Sequence, residues 1–332
     1  MIYFMNKKYI FIGLLLALQL GFARKTVVKM ATLAPEGTDW HGMLVEMGQE
    51  WKKATKGRVQ LRLYPGGVVG DERDMVRKMR IGQIHAAAIS TEGLYEINPN
   101  FAAFYVPMLF QDLSDIQYVT EQLDNELVMG TSNKGFQLLY LVDVGWGYWF
   151  GKKPIFTPND LKSHKIFTWA GDFAWAEVWK KAGYNPVPLA MTDLLSGLQT
   201  GLIDALSTIP LYALAQQSFG ITNHMLNMKW GILMAGIVID NRTWNRISEK
   251  DRKAMKNIVN KIRDKHIEKN RHAEKDALQV MQEYGLNIHE PTSDQIDQWK
   301  SEVKSMYPLL RGKAIEAEIF DKVIEIMKEK PK

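Results

Sequence analysis

The stretch RVQLRLYPGGVVGDERDMVRKMRIGQIHAAAI, Arg58–Ile89, decides the fold class. Its opening residues alternate Val59, Leu61 and Leu63 with polar side chains, the period of a half-buried strand. The loop Pro65–Gly70 breaks that strand, and Asp71 is placed to cap a helix running to Arg80, which Gly82 stops. Ile84–Ile89 is then a small, apolar strand. Upstream, Thr26–Leu33 (TVVKMATL) reads as an earlier strand ended by Pro35, Glu36 and Gly37. Thr38 or Asp39 caps a helix to about Ala54, and Gly57 turns the chain back. Strand, helix, strand, helix and strand on short connections predict an open α/β sheet.

A second landmark is LKSHKIFTWAG, Leu161–Gly171, a short strand over Lys165–Trp169 entered from a polar turn and left through a glycine. Alternation puts Phe167 and Trp169 on one face and Ile166 and Thr168 on the other. Two large aromatics at a strand end wall a pocket or fill a core, and composition alone favours the core. Before this strand lie Phe136–Val142, read as a strand, and the cluster Trp146, Tyr148, Trp149 and Phe150. After it come a helix over Phe173–Ala182, a connector bracketed by Pro186 and Pro188, and a helix from a Thr192 cap to Gly201. Ile232–Ile239 is another strand.

The longest helix opens at Ser248, whose spacing to Asp251 is that of a capping box, and stops before Gly285. About 36 residues at 1.5 Å each give a rod of roughly 50 Å, longer than one small domain is wide. An apolar stripe at Ala254, Ile258 and Ile262 gives way to an almost wholly charged stretch from Arg263 to His272, as in a helix bridging two lobes. Ser293–Lys328 reads as helical.

Length and composition are those of a soluble globular protein with room for two cores: 332 residues, 46% hydrophobic and 24% charged. Residues 1–23 stand apart. Lys7 and Lys8 precede the apolar run Tyr9–Leu18, and Gly21-Phe22-Ala23 offers a cleavage site, the layout of a secretory signal peptide. That run is short for a membrane anchor. Cleavage after Ala23 removes two lysines and no acid, so the formal charge falls from +5 to +3, too little to suggest nucleic acid. With no cysteine there is no lipid-bearing N-terminal cysteine, no disulfide and no thiolate metal site. A periplasmic location is expected.

Catalytic motifs are missing. PGGVVG lacks the Lys-Ser or Lys-Thr of a phosphate loop, and HExxH, paired CxxC and GxSxG are absent. The seven histidines are scattered, and His266 and His272 are off the spacing that stacks two ligands on one helical face. No catalytic residue, metal site or cofactor is expected.

Eight stretches together resemble one family: ATLAPEGTDW, RLYPGGVVGDERDMVRKMRIGQIHAA, YVPMLFQD, KKPIFTPNDLKSHKI, AGYNPVPL, LQTGLIDA, TNH and the strand before Asn241. In that order they are similar to the solute receptors of tripartite ATP-independent periplasmic (TRAP) transporters, the DctP-like proteins, from Thr26 to about Gly285. The resemblance implies a two-lobed, type II-like periplasmic-binding-protein fold: two open sheets flanked by helices, hinge strands and a lobe-spanning helix. The lobes would be 24–145 with 237–284, the helix 248–284 bridging, and 146–236 with 285–332. It further implies capture of a small solute for delivery to membrane permease subunits.

This chain departs from the family's carboxylate anchors. Where organic-acid receptors carry Lys-Ile-Arg it has Lys165-Ile166-Phe167, and a second arginine position falls at Gly147. The family's Glu-Asn after the Asp-Gly of LQTGxxDG is replaced too: Asp204-Ala205-Leu206 leads to Ser207 and Thr208. The pattern is similar to a branch associated with tetratricopeptide-repeat (TPR) partner proteins. The expected ligand is therefore apolar or amphipathic, bound by Phe167, Trp169, Trp146, Tyr148, Trp40, Thr91, Ser207, Thr208 and Trp230. Two alternatives stay open: an acid held by a non-standard cation, Lys165 or Lys229, and a structural or chaperone-like protein.

Overall fold

The computed structural model describes residues 25–331, apart from the side chains of 266–272. The expected leader, 1–23, lies outside the described residues. Among the described residues, nine strands form one mixed sheet: β1 (Thr26–Thr32), β2 (Val59–Tyr64), β3 (Ala86–Ser90), β4 (Phe136–Gly151), β5 (Lys165–Trp169), β6 (Asn185–Leu189), β7 (Ala205–Thr208), β8 (His224–Asp240) and β9 (Asn287–His289). Their order is β2-β1-β3-β8-β4-β7-β5-β6, with β9 beside β8. The helices are α1 (Asp39–Ala54), α2 (Glu72–Arg80), α3 (Thr91–Ile97), α4 (Leu113–Asn133), α5 (Pro158–Lys162), α6 (Phe173–Lys181), α7 (Leu194–Thr200), α8 (Pro210–Ala215), α9 (Asn241–Arg246), α10 (Glu249–Glu283), α11 (Ser293–Leu310) and α12 (Ala317–Glu329).

Local chemistry sets many of these ends. Thr38 caps α1 by accepting from the His41 N–H, and the Asp71 carboxylate caps α2. β1 pairs in parallel with β2 and β3. Thr192 does not cap: it lies in a 3₁₀ turn, Met191–Asp193, ahead of α7, and Gly201 closes α7 in the left-handed region. The proline connector is an edge strand, β6, paired in parallel with β5 along its whole length. Prolines at alternate positions are tolerated there because an edge strand has one side without ladder bonds.

Two strands are about twice as long as their sequence suggests. β4 and β8 run antiparallel from the Phe136–Asp240 pair to the Gly151–His224 pair, with register shifts after Leu138, Asp143 and Gly147. Gly145, at φ 153°, sits at the second shift. At one end β8 pairs β3, and at the other β4 pairs β7. The two expected sheets are thus the two ends of a single hydrogen-bonded ladder, one under each lobe.

α10 packs on α1, on β4 and on α8, so it touches elements at both ends of the ladder. Its buried stripe is Met255, Val259 and Ile262, one position on from the expected Ala254 and Ile258, which are only partly buried. Ser248 accepts from the Asp251 N–H at 3.2 Å, and the Asp251 carboxylate pairs with Arg58 at 2.9 and 2.6 Å. The C-terminal segment is not all in the second lobe, contrary to expectation. α11 packs on α5 and α6, but α12 crosses to α4 and the 3₁₀ turn Pro99–Tyr105 of the first lobe. Lys322–Glu126 and Lys330–Asp115 ion pairs hold it there.

Candidate functional site

Both lobes contribute to a cavity of about 320 Å³ at the crossing segments of β4 and β8. The first lobe supplies Thr32–Ala34 at the end of β1, Trp40 and Met43 from α1, and Glu72, Ser90 and Glu92. The second supplies Phe167–Trp169 at the end of β5, Asp172 and Trp175 at the start of α6, and Ser207 and Thr208. Asp71 joins the lobes directly by accepting the Met191 N–H at 2.8 Å.

Of the residues expected at the site, Phe167, Trp169, Trp40, Ser207, Thr208 and Trp230 line this cavity. Trp146, Tyr148 and Thr91 do not. Strand alternation explains the first two, because Gly147 and Trp149 line the cavity in their place. The Trp146 ring instead lies 4.4 Å beneath the Lys229 Nζ, and the Tyr148 hydroxyl bonds the Glu274 carboxyl on α10. Thr91 donates to the Met234 carbonyl and accepts from the Met234 N–H, both at 3.1 Å, stitching α3 to β8.

The sequence reading missed Trp149, Trp175, Trp179, Tyr105 and three carboxylates, Glu72, Glu92 and Asp172. Alternation from Gly147 was the one signal for Trp149. The aromatic wall is mutually braced: Trp149 stands edge-on to Trp179 and Trp230, and Phe167 to Trp169 at 5.7 Å.

Among the described residues, no lysine, arginine or histidine lines the cavity. Lys165 donates to the Gly201 carbonyl at 2.9 Å and Lys229 to the Gln111 carbonyl at 2.7 Å, both away from it. Arg73 is held by Glu92 at 2.7 Å and Glu96 at 2.9 Å. Burial pushes the Glu92 carboxyl up to about 8, with Arg73 pulling the other way. Burial likewise raises Glu72 to about 7, against hydrogen bonds from Ser90 and Gly93 that favour its ionised form. Asp172 is also raised by burial. A solute entering here meets aromatic faces, hydroxyls and carboxyls. Among the described residues no three His, Asp or Glu side chains are grouped to hold a metal.

Residues 30–312 match the family model for bacterial extracellular solute-binding proteins of family 7, the DctP family. The chain belongs to that family. A solute-binding protein of Roseobacter denitrificans is 26% identical over 249 residues, 72% of this chain and 74% of that one. The C4-dicarboxylate-binding periplasmic protein of Rhodobacter capsulatus is 22% identical over 255 residues, 75% of each chain. Among solved structures, the sugar-acid-binding protein of Advenella mimigardefordensis in complex with galactonate superposes with a TM-score of 0.85 at 15% identity, covering 92% of this chain and 99% of that one. The likeness establishes the two-lobed fold. As a DctP-family member the chain is a solute receptor of the TRAP type, not an enzyme.

Proposed function

We propose that this receptor captures an uncharged or amphipathic small solute in the interlobe cavity and delivers it to the membrane subunits of a TRAP permease. One observation carries the reading: the cavity is lined by aromatics and three carboxyl side chains and, among the described residues, by no basic side chain. The Rhodobacter and Advenella proteins are named for, or hold, organic acids. An acid entering this cavity would bury its charge with no lining cation, which costs several kcal/mol. An apolar body gains instead, about 2.5 kcal/mol for each 100 Å² covered, less the cost of lost ligand freedom and lobe closure.

Closure in this reading bends β4 and β8 near Tyr140–Gly145 and Ile232–Ile239. The proposed location is the periplasm, reached after cleavage behind Ala23, and intact mass of the exported protein tests whether it begins at Arg24. Among the described residues no helix is long and apolar enough to cross a membrane. A TPR partner belongs to the same proposal, through the Phe167 and Gly147 departures.

The deciding experiment is mass spectrometry of the compound that co-purifies, with calorimetry against succinate and galactonate. Micromolar binding of either acid would defeat the reading. Arg73, already beside Glu92, would then have to release it and reach the solute.

A further inference from the structure

The two lobes touch along one edge of the cavity, where residues 67–73 of the first lobe face the second. A Cβ at Gly67 would lie 2.8 Å from the Thr192 methyl, and one at Gly171 would lie 3.2 Å from the Arg73 Cδ. Between these two close approaches stands Asp71, only 8% exposed. One of its carboxylate oxygens accepts the Glu72 N–H at 2.7 Å, as the cap of α2. The other accepts the Met191 N–H of the second lobe at 2.8 Å. Glu72 and Met191 both line the cavity, so this bond closes its rim.

The two bonds of Asp71 differ in what they depend on. The cap lies within the first lobe and survives any movement of the second. Met191 opens the 3₁₀ turn Met191–Asp193, and the first N–H of a helical turn has no partner inside that turn. It needs an acceptor from elsewhere, which is Asp71 while the lobes are together and water once they part. An ionised acceptor makes such a bond about twice as strong as a neutral one, and exclusion of water strengthens it further.

We infer that the Asp71–Met191 hydrogen bond is a latch on the closed receptor, formed after the solute has entered and broken before it leaves. Asp71 is thus a positioning residue for solute retention that does not touch the solute. The inference rests on the reading of the cavity as a solute site that closes between the lobes. A bond made only after entry slows release and leaves capture unchanged. It holds every occupant alike, so it adds affinity without selectivity, which stays with the lining side chains.

Two variants cut the bond from opposite sides. Asp71→Ser keeps a good cap for α2, but its side chain is one atom shorter and has a single oxygen, so it cannot serve both N–H groups. Met191→Pro removes the donor. Proline is accommodated at a first helical position, and Ala190 before it is already extended, at ψ 145°. Met191→Ala keeps the N–H and controls for the lost side chain. The probe is N-phenyl-1-naphthylamine, a neutral apolar dye that brightens on leaving water. Stopped-flow mixing gives its association and dissociation rates, and urea unfolding gives the stability of each variant.

Dissociation is expected to quicken about tenfold in Asp71→Ser against the unmodified receptor and in Met191→Pro against Met191→Ala, with association unchanged. The double variant is expected to release the dye no faster than either single one, because both remove the same bond. Unchanged dissociation in either variant, or effects that multiply in the double one, overturns the latch and leaves the cavity reading standing. Slower association together with lost stability would make Asp71 a support of α2 only, which also overturns the latch. An unmodified receptor that does not bind the dye overturns the cavity reading and the latch with it.

Discussion

Replacing Phe167 with alanine separates the two roles open to a large aromatic at a strand end. The ring is 8% exposed, belongs to the main core cluster and meets Trp169 edge-on. Truncating a buried phenylalanine costs about 3–5 kcal/mol, and the lower end applies because one side of this ring opens on the cavity. A protein of ordinary stability, about 5–15 kcal/mol, stays folded at 25 °C after that loss. The binding loss is separate. A ring that covers about 80 Å² of solute contributes about 2 kcal/mol at 25 cal/mol per Å², a weakening of about 30-fold. Urea unfolding measures the first quantity, and displacement titration of the co-purified solute measures the second. A variant that loses stability yet binds with unchanged affinity would show Phe167 to be core alone, and the solute would lie elsewhere in the cavity.

Tyr148→Phe strips a hydrogen bond from half-buried Glu274 without touching the cavity, so stability should fall by about 1 kcal/mol with solute affinity unchanged. An affinity loss like that of Phe167→Ala would return Tyr148 to the solute. Glu92 and Glu72 are raised by burial to about 8 and about 7 from an ordinary 4.5, so the folded state holds protons that the unfolded chain releases. Their contribution is full below 4.5 and disappears as pH rises through 7 and 8, so Tm should fall between pH 5 and pH 9, less steeply in Glu92→Gln. A flat or rising Tm across that interval contradicts the assignment. Solute binding should slow amide exchange in Trp169–Trp175 and Ser207–Ile209 while β2, at the far edge of the sheet, is unaffected. Equal protection in β2 would argue for global stabilisation instead of closure over the cavity.

Signals carried by neighbouring residues were legible. Thr38, Asp71 and Ser248 cap the helices expected of them because a cap is settled within one turn. The family's order of stretches carried the lobes. The full length of the long strands was not legible: the expected strands stopped at Val142 and began at Ile232, and Gly145, Gly147 and Gly231 beyond them are interior to a bulged ladder. Gly236 is interior too, and a Cβ there would lie 2.9 Å from the Tyr140 carbonyl oxygen. The same misreading turned the aromatic cluster around: Trp146 and Tyr148 were assigned to the solute, and Trp149 was not. Pro186 and Pro188 hid an edge strand because a proline signals a break until its position in the sheet is known. The three carboxylates were invisible for another reason. Glu72, Glu92 and Asp172 meet only after residues far apart in the chain have folded together.

The two strands that run under both lobes also govern the order in which the protein can be finished as it is made. β3 finds its second neighbour only in residues 235–239, and β4 pairs along its length with residues 224–240. A nascent chain that has emerged through α8 has the amino acids of most of the first lobe and none of the strand that completes its sheet. The first lobe therefore cannot complete its sheet early. A chain exported as proposed here cannot complete its first lobe until the far end of β8 has followed it across the membrane.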